Sequence, residues 1–149
     1  SLNNLANSYS DVGDHARALE LGKEALEMRR ELLGDKHPDV ARSLNYLANS
    51  YSDVGDHARA LELREEALEM RRELLGESHP NTINSLLYVL RRLYANPRTA
   101  GQGEALAKSF LKNIPREHPS REKVLEFLGN RKGFRKPGKN RSSKKRRKK

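Results

Sequence analysis

The chain has 149 residues and no cysteine, which excludes disulfides, thiolate zinc sites and a thiol nucleophile. Its formal charge of +10 is unevenly placed: twelve cations and no acid lie between Arg131 and Lys149, leaving residues 1–130 with the remaining −2. No apolar run approaches the roughly 20 residues of a membrane span and no signal-peptide pattern opens the chain, so the expectation is a cytoplasmic protein without membrane insertion.

Ser1 to Gly34 is repeated almost residue for residue at Ser43 to Gly76, and positions i and i+42 agree at 33 of 42 places. Self-similarity at such a period marks a stacking unit. The differences gather at Gly22-Lys23 and in the connection from Asp35 to Arg42, both expected to face solvent.

Residues 1 to 12 read as a first helix. In the second copy Leu44, Leu47, Ala48, Tyr51 and Val54 recur at three- and four-residue steps, with Asn45, Asn49 and Ser52 on a neighbouring strip. Ser1 falls several residues inside the helix that copy two begins near Pro38. The chain is therefore expected to be a fragment of a longer array, with an apolar N-terminal edge suited to self-association of two chains. Gly13-Asp14 makes a turn in which Asp14 can cap the next helix. That helix, about His15 to Leu33, has an apolar stripe too wide for one partner, repeated as Ala58, Ala60, Leu61, Leu63, Ala67, Leu68, Met70, Leu74 and Leu75. Glu62, Glu66, Glu69 and Glu73 are read as its wetted side, balanced by Arg29, Arg30, Arg71 and Arg72. Gly22 costs about 1 kcal/mol against alanine there, and Arg64 replaces it in copy two. Gly34 and Gly76 end these helices, and Pro38 and Pro80 suit the first turn of the next.

Leu5, Ala6, Tyr9, Gly13, Ala18 and Ala25, repeated as Leu47, Ala48, Tyr51, Gly55, Ala60 and Ala67, resemble the marks of the tetratricopeptide repeat. The 42-residue length and the connections from Leu32 to Pro38 and Leu74 to Pro80 resemble the longer variety found in kinesin light chains. The resemblance implies an all-α, right-handed stack of antiparallel helix pairs acting as a protein-binding scaffold, and covers residues 1 to about 95 well.

The third unit is more apolar, with Leu86, Leu87, Val89, Leu90, Leu93 and Tyr94 in its first helix and Asn96-Pro97 as terminator. Gly101 and Gly103 are expected to delay its second helix to about residue 103, burying Ala105, Leu106, Phe110, Leu111 and Ile114 before Pro115. A last helix with Val124, Leu125, Phe127 and Leu128 reads as a cap on the final apolar face. The expected units are 1–42, 43–84 and 85–118, a cap at 119–128, and a disordered basic tail at 129–149.

In stacked helix pairs the first helices line the concave side. Their polar strip is Asn3, Asn7 and Ser10, then Arg42, Asn45, Asn49 and Ser52, then Asn84, Leu87, Tyr88 and Arg91. An asparagine amide both donates and accepts, and so can grip a peptide backbone whatever its side chains; the resemblance also implies extended-peptide binding at matching first-helix asparagines. The competing reading has these amides bonding only within the helix pair. Arg42 and Arg91 favour an acidic ligand or a terminal carboxylate. The five histidines recur with the repeat or in a similar His-Pro connection, and no pair has ligand spacing, so neither a metal nor a cofactor is expected. No nucleophile elbow, phosphate loop or isolated acid pair appears, which argues against an enzyme.

The leading alternative assigns binding to the tail. Arg131-Lys132 followed by Lys144-Lys145-Arg146-Arg147 resembles a two-part nuclear import signal if the source is eukaryotic. The same cations could tether nucleic acid non-specifically, with Phe134 alone available for stacking. An acidic membrane surface and a merely solubilising terminus are the remaining readings.

Overall fold

The computed structural model describes residues 1–130; Arg131, Lys132, Lys144, Lys145, Arg146 and Arg147, which carry the tail readings, lie outside them. The described residues form seven α-helices: α1 (Leu2–Asp11), α2 (His15–Leu33), α3 (Pro38–Asp53), α4 (His57–Leu75), α5 (Pro80–Ala95), α6 (Ala100–Asn113) and α7 (Pro119–Gly129). Each of α1 to α6 packs on its neighbours in the chain, α1 also reaches α3, and α7 closes on α5 and α6. This nearest-neighbour pattern is that of a solenoid.

Local chemistry sets the helix ends. Asp14 and Asp56 each accept from the backbone N–H three residues on, at 3.1 and 3.0 Å. His37, His79 and His118 each accept through Nδ1 from the backbone N–H two residues on, at 3.1 Å, and each is followed by proline in the first helical turn. The His-Pro pair is thus a cap that satisfies one orphan donor and omits another. Gly55 and Gly76, at φ 85° and 89°, turn the chain through the left-handed region where a side chain would be strained.

The apolar side chains gather in two cores that meet at α4. Ala60, Leu63, Ala67 and Met70 join Leu26 of α2 and Val40, Ala41, Leu44, Leu47 and Ala48 of α3. Leu68 instead joins the core of α5, α6 and α7, in which Leu86, Leu90, Phe110 and Val124 are fully enclosed. The wide stripe of α4 therefore serves two neighbours, and each buried leucine contributes roughly 1.5–3 kcal/mol. The cap is also tied by polar bonds: Ser120 Oγ donates to the Ser78 carbonyl at 2.6 Å, and Arg121 donates to the Ile114 carbonyl at 3.0 Å and to that of Leu111.

Several sequence expectations are corrected. Helix α6 begins at Ala100, three residues earlier than expected, because Asn96 and Thr99 organise its start: Thr99 Oγ1 donates to the Leu93 carbonyl at 2.6 Å. Gly103 does not delay the helix but lets it approach α5, since a Cβ there would stand 3.1 Å from the Tyr94 ring. Ala105 and Leu125 are exposed, while Ala107 takes the core position. Position 22/64 does not face solvent: Gly22 is buried against Leu47, and Arg64 is 9% exposed. Nor do Arg29 and Arg71 balance the outer glutamates. They are half-buried and donate across to the next first helix, to Ser43 and Ser85 Oγ at 2.6 Å each.

Candidate ligand-binding cleft

On α3, Arg42, Asn45, Tyr46 and Asn49 fall at steps of three, one and three, and so share one face of the helix. On α5, Asn84, Ser85 and Tyr88 do the same. From α4, behind both, Arg64 and Arg71 reach forward between them. Together these nine residues line an open cleft of about 320 Å³.

Its polar groups are held in place. Asn45 donates its amide N–H to the Ala41 carbonyl at 3.1 Å, which leaves its own carbonyl uncommitted. Asn49 does the reverse, accepting from Arg64 at 2.8 Å and keeping its amide N–H groups. The Arg64 guanidinium also lies 5.1 Å from the Tyr88 ring centroid, and Arg91 lies 6.0 Å from the same ring. Arg42 pairs with Asp39, while Arg64 and Arg71 have no carboxylate partner among the described residues. Burial lowers the pKa of both from the ordinary arginine value. At Arg64 the nearby Tyr88 opposes that effect; at Arg71 the positive charge of Arg42 adds to it. No acid lines the cleft, so it presents fixed, partly dehydrated positive charge beside amides and a phenol-bearing ring.

Of the residues expected on the polar strip, Arg42, Asn45, Asn49 and Asn84 line this cleft, and Arg91 borders it through Tyr88. Asn7 is exposed outside it, and Ser52 is half-buried with its hydroxyl enclosed and without a hydrogen-bond partner among the described residues. Asn3 is 3% exposed, and its amide lacks a hydrogen-bond partner among the described residues, so it does not belong to an open strip. Arg64, Arg71 and Tyr46 were not anticipated there. The signal for two of them lay in the copy-to-copy differences, Asn4 to Tyr46 and Gly22 to Arg64, which meet in the cleft.

A family model described as tetratricopeptide repeat matches residues 1–73 and 44–94. A comparison with curated proteins found no match. Among solved structures, the kinesin light chain nearly identical TPR-like repeats of Podosopora anserina align with 24% identity and TM-score 0.62, over 87% of this chain and 71% of that one. A point variant of the same Podosopora anserina protein aligns at 24% identity and TM-score 0.64, over 87% and 70%. BtubC (BKLC) from P. vanneervenii aligns at 21% identity and TM-score 0.61, over 86% and 55%. At these identities the structures speak to the fold, an all-α solenoid of the kinesin-light-chain type. Tetratricopeptide repeats generally mediate protein–protein interaction. The family model covers well over half of the sequence, and the chain belongs to the tetratricopeptide repeat family.

Proposed function

We infer that the protein is a binding scaffold that holds an extended segment of a partner protein in the cleft between α3 and α5. Arg64 and Arg71 receive a carboxylate from that segment, either an acidic side chain or a chain terminus, and the free halves of Asn45 and Asn49 engage its backbone. One observation carries the reading: two guanidiniums are partly buried, without counter-charge, beside unspent amides in one cleft. A desolvated cation lacking an anion costs free energy that an incoming carboxylate recovers. The cleft holds no base set against a nucleophile, so the role is capture without chemistry.

The experiment selects peptides from a random display library on the wild-type chain and titrates the selected peptides against an Asn45→Ala, Asn49→Ala variant. Enriched sequences should carry Asp, Glu or a free C-terminal carboxylate, and the variant should bind them about tenfold or more weakly. Peptides that bind both chains equally would remove this assignment.

A further inference from the structure

We propose, on the footing that the cleft between α3 and α5 binds a carboxylate-bearing segment, that this segment presents two acidic residues, three positions apart in a polyproline II stretch, to two separate cationic poles. Arg64 and Arg71 are seven residues apart on α4, which puts them on one side of the helix with a rise of about 10.5 Å between them. Their heads are anchored at different levels. Arg64 donates to Asn49, late in α3, at 2.8 Å, whereas Arg71 donates to Ser85, early in α5, at 2.6 Å. Ser85 is the counterpart of Ser43, which takes the same bond from Arg29 at 2.6 Å. The Arg71 head therefore stands level with Ser43, six residues and about 9 Å of helix before Asn49.

Each head also has its own neighbouring cation. Burial is the chief cause that lowers the pKa of both guanidiniums, and the positive charge that adds to it is Arg92 at Arg64 and Arg42 at Arg71. One end of the cleft is thus an Arg71 pole and the other an Arg64 pole. A carboxylate seated at one leaves the other desolvated and without an anion.

The spacing of the poles selects the ligand's backbone. Adjacent acidic residues are too close to serve both. In a β-strand, residues three apart point to opposite faces. An α-helix can place two acids far enough apart, but it spends its backbone groups internally and offers nothing to the Asn45 carbonyl or the Asn49 N–H groups. A polyproline II segment completes one turn in three residues over about 9 Å, so acids at its first and fourth positions lie on one side at the required distance. Its backbone makes no internal hydrogen bonds, which leaves the intervening peptide groups free for those two amides. Tyr46 and Tyr88 line the same cleft, and aromatic-lined grooves suit such segments.

The test titrates capped synthetic peptides of one flanking sequence against the full chain by fluorescence anisotropy, with Glu-Pro-Pro-Glu, Glu-Glu-Pro-Pro, Glu-Pro-Pro-Gln, Gln-Pro-Pro-Glu or Gln-Pro-Pro-Gln at the centre. The first two carry equal charge, so attraction to the cations between Arg131 and Lys149 cancels in their comparison. Glu-Pro-Pro-Glu should bind about tenfold or more tightly than Glu-Glu-Pro-Pro and than either single-glutamate peptide. In an Arg64→Gln chain one of its two glutamates should cease to matter, and in an Arg71→Gln chain the other, with circular dichroism checking that both variants keep their helices. Equal affinity for Glu-Pro-Pro-Glu and Glu-Glu-Pro-Pro would overturn the proposal, as would both variants silencing the same glutamate. Binding that needs glutamate but ignores its spacing removes only the two-pole ligand. Equal binding of Gln-Pro-Pro-Gln and Glu-Pro-Pro-Glu removes the carboxylate reading of the cleft as well.

Discussion

The two 42-residue copies are a controlled comparison within one molecule. They agree at 33 positions, yet Leu5 and Leu47, in nearly identical sequence surroundings, are 46% and 4% exposed. Burial in a solenoid is decided by the neighbouring hairpin and not by the hairpin's own sequence. The converse holds at position 22/64, where a sequence difference changes chemistry at a buried site: glycine in one copy, a cleft-lining guanidinium in the other.

The largest effect should separate the two leucines. Leu47→Ala removes a side chain from a closed core and should cost about 2–5 kcal/mol, whereas Leu5→Ala should cost less than about 1 kcal/mol. Urea denaturation measures both, and equal losses would break the comparison. A smaller effect concerns Gly22. A Cβ there would stand 3.2 Å from Leu47 Cδ1, whereas 42 residues on from Leu47 the chain has the shorter Val89. Gly22→Ala should therefore gain little by itself, and on a Leu47→Val background it should recover up to about 1 kcal/mol of helix propensity. Thermal melts of the single and double variants give that coupling.

His79→Ala removes the acceptor for the Asn81 N–H and should cost about 1 kcal/mol, with His37→Ala similar. The smallest effect is at Glu65, where copy one has Lys23. Burial, and then the charge of Glu62, raises the Glu65 pKa, so its contribution is favourable in acid and is lost as pH rises through the raised value. Glu65→Gln should raise the melting temperature at neutral pH, and the gain should vanish as pH falls below the ordinary glutamate range.

The fold was legible because its punctuation is local. The 42-residue period, the glycines at 13, 34, 55 and 76 and the prolines at 38 and 80 mark helix ends whatever surrounds them. The cleft was legible in half. Arg42, Asn45, Asn49 and Asn84 follow from first-helix spacing, but Arg64 and Arg71 sit on second helices whose long side chains reach forward between first helices. Periodicity assigns a residue to a side of its helix and does not say how far its side chain extends. Asn3 was illegible because equal spacing does not give equal surroundings: Asn45 is half-buried and bonded to the Ala41 carbonyl, while Asn3 is enclosed and without a hydrogen-bond partner among the described residues.

The central claim, that Arg64 beside Arg71 makes the cleft a receptor for a carboxylate, is tested most directly by Arg64→Gly, which writes copy one's residue into copy two. Calorimetric titration of a library-selected acidic peptide against both chains should show affinity falling about tenfold or more in the variant, with the helices intact by circular dichroism. Undiminished affinity for the same peptide would contradict the account.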